Sequence, residues 1–383
     1  MREHFWTLER GVLSRADRLP LTAADSLRAG LSLGRMQGSA VGLGRGDSPA
    51  ARALLLAAES GILQNGRTAW DLGSCFESQF FYTLSRSGAD YGMFVSYAGE
   101  AKLCARGGLP LSPGEERQFL ELMDGEEPRP VFAGSFGTLL PMESLGALYG
   151  VELIKAAETT LTGMAVCVKC ANPLILEMME KTLTGLGCRL REGGMTLQIS
   201  ADGKDVAAYE SVQDYIYTDR VLLLVCRDLF SRGQDAAVPA SAPRAIDAVA
   251  ASCGRQVFRY DDGLPSGSDR KARSLSLRQP FLRDGLMLGL RLLSVMKRRR
   301  MGLSGLVREL PGFAVVSRTV AAPAGLREGM VLAFPSGELR VRPCGGRKAA
   351  LLTAECTDME AAAELCRFGE AALQRGELHS PGE

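Results

Sequence analysis

Between Ala40 and Tyr97 short apolar strand candidates alternate with helix candidates, and this alternation constrains the fold more than any other feature of the chain. Ala40 to Gly44 reads as a strand. Ser48 then offers an N-cap hydroxyl and Pro49 a ring suited to the first helical position, opening an Ala/Leu-rich helix to about Leu63. Gly66 closes that helix, Arg67 to Leu72 is the next strand, Glu77 to Ser87 a helix and Tyr91 to Tyr97 another strand. Strands joined through helices cross over right-handedly, so the β-α-β-α-β string predicts a sheet with helices packed on its faces.

The pattern recurs along the chain. A strand at Met164 to Cys170 leads into a helix capped by Asn172 and Pro173 and closed near Gly185 and Gly187, then a strand at Thr196 to Ser200 and a helix from Thr218 to about Arg232. A third unit starts near Ser241 and Pro243, with a helix to Cys253, a strand at Gln256 to Tyr260, a loop over Asp261 to Arg273 and an apolar helix from Asp284 to Lys297. Leu286, Leu290 and Leu293 give that helix a core-facing stripe. The last unit has two strands and a helix opened by a capping box, Thr357 with Glu360. With 383 residues, more than one core is expected. The fold class is α/β: three consecutive α/β domains with mixed sheets, at 1–150, 151–240 and 241–322, followed by a small α+β domain at 323–383.

Composition narrows the function classes. The chain is 46% apolar, and 45 basic residues against 44 acidic ones leave a net charge of +1, which favours neither nucleic acid nor an anionic membrane as a partner. Apolar runs such as Ala53 to Ala58 and Val221 to Cys226 are too short to span a bilayer, and Met1 to Leu21 has no export signal, so a cytoplasmic location is expected. The 10 cysteines are then reduced thiols, and Cys167 with Cys170 lacks the second pair or histidine that zinc requires, which favours buried small residues over a metal or redox site. Lys297 to Arg300 is a cationic run at a helix C-terminus, where the macrodipole favours positive charge without any nucleic acid.

Val331 to Cys356, VLAFPSGELRVRPCGGRKAALLTAEC, reads as two strands joined by a Gly-rich turn flanked by Arg342, Arg347 and Lys348. From Arg342 to Glu355 it resembles, without a gap, the phosphate-gripping loop of the α-D-phosphohexomutase family, R-P-S-G-T-E-P-x-x-R-V-Y-x-E. Further similarities follow in the family's order: PLTAADSLRAGLSLG from Pro20, VGLGRGDSP from Val41, LSRSGADYGM from Leu84, GGLPLSPGEE from Gly107, VKCAN from Val168 and FLRDGLMLGLRLL from Phe281. The fold the resemblance implies is phosphohexomutase-like over most of the chain. The activity it implies is transfer of a phosphoryl group within a hexose phosphate through a phosphoserine, with a divalent cation and a clamp for the second phosphate.

Each part of that machinery is altered. Counting from Gly88-Ala89-Asp90 puts Ala98 at the family's nucleophilic serine and Ser96 at the threonine before it, and the loop to Lys102 is short. The metal loop, D-G-D-x-D-R in the family, is Asp202-Gly203-Lys204-Asp205-Val206-Ala207, with an ammonium where the second carboxylate belongs. Asp202 and Asp205 are therefore expected to be turn residues, and no resident cofactor is expected, Mg²⁺ entering only if the chain is an active mutase. The sugar-reading G-E-x-S-G-H has no counterpart, since Ser266-Gly267-Ser268 lacks both Glu and His. In the last loop Arg342, Gly345, Gly346 and Arg347 are the expected phosphate ligands, joined by Arg10 from a reduced N-terminal motif.

The resemblance thus implies a phosphohexomutase-family protein that is inactive or impaired and that takes a hexose phosphate, another small anion or a partner protein. The alternative is an active phosphoglucomutase or phosphomannomutase-type enzyme with Ser96 as phosphoserine and Lys102 as acid/base. A purely structural protein is a third expectation.

Overall fold

The structure, a computed structural model, describes residues 5–9, 11–17, 19–38, 40–125, 132–210, 213–262, 269–322, 326, 329–344 and 349–378. The first unit comprises β1 (Trp6–Glu9), β2 (Val12–Arg15), α1 (Ala23–Arg35), β3 (Ala40–Arg45), α2 (Pro49–Gln64), β4 (Thr68–Ser74), α3 (Glu77–Ser87), β5 (Tyr91–Val95), β6 (Ala101–Ala105), α4 (Pro113–Met123), β7 (Leu139–Pro141) and α5 (Ala147–Ala156). Its sheet runs β1-β2-β6-β5-β3-β4-β7. The pairs β3 with β4, β3 with β5 and β4 with β7 are parallel, as the β-α-β-α-β string requires, whereas β6 returns antiparallel to β5. The N-cap at Ser48 forms as expected, its hydroxyl accepting from the Ala51 amide at 3.1 Å.

The second unit has β8 (Ala165–Lys169), α6 (Pro173–Gly185), β9 (Arg189–Leu190), β10 (Met195–Ile199), β11 (Val206–Glu210), β12 (Gln213–Ile216) and α7 (Thr218–Ser231), in a mixed sheet of order β12-β11-β10-β8-β9. In the third, β13 (Ala236–Pro239) and β14 (Val257–Tyr260) pair in parallel beside α8 (Ala245–Ser252), α9 (Arg270–Arg278), α10 (Gly285–Arg299) and α11 (Leu303–Val307). The fourth is an antiparallel sheet of β15 (Ala314–Ala321), β16 (Met330–Phe334), β17 (Gly337–Cys344) and β18 (Ala349–Cys356), ordered β15-β18-β17-β16 and backed by α12 (Met359–Gln374).

Several local readings change. The sheets of the third and fourth units begin at Ala236 and Ala314, upstream of positions 241 and 323, because β13 and β15 pair within those sheets. Val331 to Cys356 holds three strands rather than two, since the chain also reverses at Pro335-Ser336 between β16 and β17. The stretch from Asp261 to Arg273 is not all loop: α9 starts at Arg270. At the last helix Asp358, not Thr357, is the N-cap, its carboxylate accepting from the Ala361 amide at 2.9 Å. An adjacent carboxylate outcompetes a hydroxyl for the same orphan N–H because charge strengthens the bond. Cys167 and Cys170 are half-buried rather than buried, Cys170 lying within 3.6 Å of the Ser200 carbonyl.

Helix α10 is the spine of the molecule. Leu286, Leu290 and Leu293 are fully buried, as are most other residues from Gly285 to Met296, so the helix is apolar nearly all round. The core it enters runs without a break through Phe76 and Tyr149 of the first unit, Leu197 and Val225 of the second and Phe281 of the third. Its basic end is neutralised by the protein itself, with Arg298 bonded to Asp228 at 2.5 Å and Arg299 to Glu309 at 2.7 Å. Among the described residues no helix is long and apolar enough to cross a membrane.

Asp284, the N-cap of α10, ties units together: it accepts from the Met287 amide at 2.9 Å and from the Tyr149 hydroxyl at 2.8 Å. Burial pushes its carboxyl up to about 6. The folded state therefore holds this proton more tightly than the unfolded chain does, so the stabilisation it brings is present at low pH and is lost as pH rises through about 6. A span of about two pH units is worth roughly 3 kcal/mol. Asp284→Asn retains a neutral acceptor, so urea unfolding should show the wild type losing about that much relative to the variant between about pH 4 and about pH 7.

Candidate functional site

The four units enclose a cleft of about 500 Å³. The first unit contributes Ser78 and Phe81 from α3, the second Lys204 and Asp219, the third Ser241, Asp262 and Arg283, and the fourth Ser317, Arg340 and Arg342. No unit could form this cleft alone.

Next to the lining residue Ser78 in sequence is Glu77, the first residue of α3 and only 2% exposed. Its carboxylate binds two ammonium groups, Lys102 on Oε2 and Lys204 on Oε1. Lys102 arrives from β6 and Lys204 from the β10–β11 loop, so the ion pairs join the first unit to the second. Lys204 also lies over the Phe81 ring, 4.8 Å from its centroid.

The loop that resembles a metal site is closed on itself. Asp202 Oδ1 accepts from the Ser200 hydroxyl at 2.5 Å and from the Lys204 amide at 3.1 Å, and Asp205 N donates to Ser200 Oγ at 2.9 Å. Burial opposes ionisation of Asp202, but the Ser200 bond and the nearby Lys204 and Lys102 charges prevail and hold its carboxyl below the usual range. Two unit charges 4 Å apart interact by about 4 kcal/mol near a protein surface, and a divalent ion facing an ammonium doubles this repulsion. The donor set Asp202, Lys204 and Val206 therefore does not fit Mg²⁺. Among the described residues no group of three His, Cys, Asp or Glu side chains is placed to hold a metal.

Ser96 lies elsewhere. It begins a tight hairpin from β5 into β6, in which its amide donates to the Glu100 carbonyl at 2.8 Å and its hydroxyl accepts from the Glu100 amide at 3.1 Å. The Ser48 hydroxyl pins the next residue, donating to the Tyr97 carbonyl at 2.8 Å. Neither Ser96 nor Lys102 is among the residues lining the cleft, though Lys102 shares Glu77 with Lys204, which does line it.

On the opposite wall Arg340, 3% exposed, donates to the Ser241 carbonyl, to the Ala242 carbonyl at 3.3 Å and to Glu355 at 3.3 Å. Glu355 in turn accepts from the Arg244 and Ala245 amides at 2.9 and 3.1 Å, capping the start of α8. This network locks the fourth unit to the third and delivers Arg342, two residues along β17, to the cleft. Arg10, Gly345, Gly346, Arg347 and Lys348 lie outside the described residues, as do Ser266 to Ser268. Arg270 opens α9, Lys271 stacks on Phe258 and Arg273 binds Asp269 at 2.6 Å, so two of these three cations are internally engaged.

Three cleft residues carry chemistry that sequence reading did not assign. Arg283 is half-buried and donates to the Gly107 and Gly108 carbonyls at 2.8 and 3.1 Å, and the desolvation of its guanidinium pulls it below its usual value. Asp262 binds the Ser241 hydroxyl through one oxygen, while Oδ1 has no hydrogen-bond partner among the described residues. Ser78 Oγ is buried with no partner among them. The R-D-G triplet marked the position of Arg283, but only the fold shows that the other two face a cleft.

No family model matches the sequence. A protein of Methanopyrus kandleri named a probable phosphoglucosamine mutase is 22% identical over 420 aligned positions, covering 90% of this chain and 92% of its own. A phosphoglucosamine mutase of Rhodococcus erythropolis is 27% identical over 192 positions, 48% of this chain and 41% of its own. Among solved structures, a phosphoglucomutase/phosphomannomutase family protein of Burkholderia thailandensis superposes with a TM-score of 0.67 at 15% identity, covering 98% of this chain and 99% of that one. Parafusin, a phosphoglucomutase of Paramecium, superposes in its open form with a TM-score of 0.56 at 10% identity, over 94% and 93%. The fold is thus that of the phosphohexomutases. Along nearly its whole length the chain is also similar in sequence to a protein that carries a phosphohexomutase name.

Removing Glu77 would leave two largely buried ammonium groups facing each other. Glu77→Ala should cost about 3 kcal/mol or more in urea unfolding. Arg375→Ala, which breaks only an exposed pair with Glu377, should leave stability essentially unchanged.

Proposed function

We propose that this chain binds a hexose phosphate in the cleft between its four units, and that it does not run the phosphoserine route which the family resemblance implies. The observation that carries the reading is the division of labour around the cleft. Lys204, Arg283, Arg340 and Arg342 line it, while Ser96, at the short loop where the nucleophile belongs, is bonded within its own hairpin. A phosphomonoester carries close to two negative charges at neutral pH and accepts up to several charge-assisted hydrogen bonds, so a cationic cleft with hydroxyls at its rim suits it. Arg342 is the grip for the phosphate, with Gly345, Gly346, Arg347 and Arg10, which lie outside the described residues, as the further ligands that the resemblance implies. Asp262 and Ser241 offer an acceptor and a hydroxyl to sugar hydroxyls.

A second reading keeps catalysis. Both curated relatives carry the name phosphoglucosamine mutase, and Lys102 shares Glu77 with the cleft-lining Lys204. In that case Ser96 would carry the phosphoryl group and Lys102 would serve as acid/base. The residues around Lys204 do not fit Mg²⁺, so no step is assigned to a metal.

Thermal unfolding with millimolar glucose 1-phosphate, mannose 1-phosphate or glucosamine 6-phosphate tests the first reading. At least one should raise the melting temperature by about 2 °C or more, and Arg342→Ala should abolish the rise. No shift with any of them overturns it. Intact mass of protein purified without phosphatase should show no phosphate on Ser96, and coupled assays no interconversion of hexose phosphates. Phosphate on Ser96 together with turnover would establish the second reading instead.

A further inference from the structure

We propose that the ammonium of Lys204, set against Glu77 beside Lys102, is a built-in cation for the ligand's phosphoryl group, so that anion binding in the cleft requires no divalent metal. The proposal rests on the reading that the cleft takes a hexose phosphate, and it specifies how the charge of that ligand is met.

Four observations converge. The Asp202 loop spends its carboxylate on its own Ser200 hydroxyl and Lys204 amide, so this oxygen is not offered to a cation. The Lys204 side chain instead leaves the loop, crosses the Phe81 ring and reaches Glu77. There a single carboxylate faces two ammonium groups, and the trio carries one net positive charge. Lys204 is the member that lines the cleft, with its side chain 32% exposed against 16% for Lys102.

The second residue of α3 supplies an independent sign that something is bound here. Ser78 is 3% exposed, lines the cleft, and its hydroxyl has no hydrogen-bond partner among the described residues. Buried hydroxyls are almost always satisfied, and an unsatisfied one lining the same cleft as an ammonium with spare N–H groups marks a place for an acceptor. A phosphoryl oxygen would take the Ser78 hydroxyl and a Lys204 N–H together. The Ser78 amide is already used, donating to the Asp202 carbonyl at 3.1 Å, which fixes the distance between α3 and the loop and so keeps the two donors in register. A divalent cation entering the same space would meet Lys204 and Lys102 head-on and would gain nothing from Ser78 that water does not give.

Calorimetric titration of the intact chain with glucose 1-phosphate, in EDTA and again in millimolar Mg²⁺, reads the proposal directly. Dissociation constants should agree within about twofold. Lys204→Met, which keeps the apolar stem over Phe81, should weaken binding by about tenfold or more, the loss of one charge-assisted bond. Ser78→Ala should weaken it about fivefold while leaving the melting temperature unchanged or higher, because it removes a buried group that has no partner. That second variant separates loss of the site from loss of the fold. Binding that appears only with Mg²⁺, or tight Mn²⁺ binding to the ligand-free wild type, overturns the built-in cation and leaves the hexose phosphate reading standing. If no hexose phosphate binds but inorganic phosphate does, and Lys204→Met abolishes it, the built-in cation stands and the sugar reading falls. If neither binds under any condition, both are wrong.

Discussion

A carboxylate buried to the extent of Glu77 is costly unless its charge is met, and in this protein it is met by lysines from two different units. Lys102 belongs to the strand that returns antiparallel across the first sheet, and Lys204 to the loop between two strands of the second. Separating the units would strand a charge in the core, so this ion trio fixes how they meet. The neighbouring contacts follow from it: the Ser78 amide reaches the Asp202 carbonyl, the Gly285 amide reaches the Gly203 carbonyl, and α10 is seated at the junction. Gly203 is required there. Its φ of +82° is in the left-handed region, and a Cβ would fall 3.0 Å from Leu286 and 3.1 Å from the Ser78 hydroxyl.

How much of this was legible in the sequence depends on the range of the interaction. Features set within four residues could be read directly: Ser48 and Asn172 cap the helices they were expected to cap, and the strand-helix alternation gives the parallel part of the first sheet. The failures at that range were competitions between neighbours, as at Thr357 and Asp358, where the stronger acceptor wins. The order of weak motifs carried the fold because order reflects topology, which survives replacement of individual ligands. The site was legible only as a set of departures. Lys204 could be seen to spoil a metal cage, but its partner lies 127 positions away in sequence, on a helix whose first residue gives no local sign of burial. Ser78 and Asp262 carry no sequence signal at all, since what distinguishes them is a missing partner, which only the packed structure can show.

The far wall of the cleft is built on the same principle. Arg340 and Glu355 face each other across adjacent strands of the fourth sheet, both nearly buried, and both spend their remaining bonds on the backbone of the third unit around Ser241 and Ala245. Arg244 adds a bond to Glu338 at 2.9 Å. The anion grip proposed at Arg342 would need its cations held at fixed separation, because each ångström of slack weakens a charge-assisted bond steeply. Anchoring the fourth unit through a buried pair two residues before Arg342 provides that, at the cost of the freedom with which this unit could otherwise swing.

If Lys204 meets the ligand's charge as proposed, the charge arrangement stands in for a metal. A divalent ion is useful in a phosphosugar site because it delivers two positive charges to one phosphate, but it demands carboxylates that are themselves an electrostatic burden when the ion is absent. Replacing one such carboxylate by Lys204 removes that burden twice over: it subtracts a negative charge and adds a positive one, and Glu77 absorbs part of the surplus so that the ligand-free cleft remains stable. An ammonium holds an anion but, unlike a divalent ion, cannot polarise a phosphoryl group strongly by direct coordination. On the proposed reading, Lys204 would therefore favour binding over transfer, the same bias expected of the short, self-bonded hairpin at Ser96.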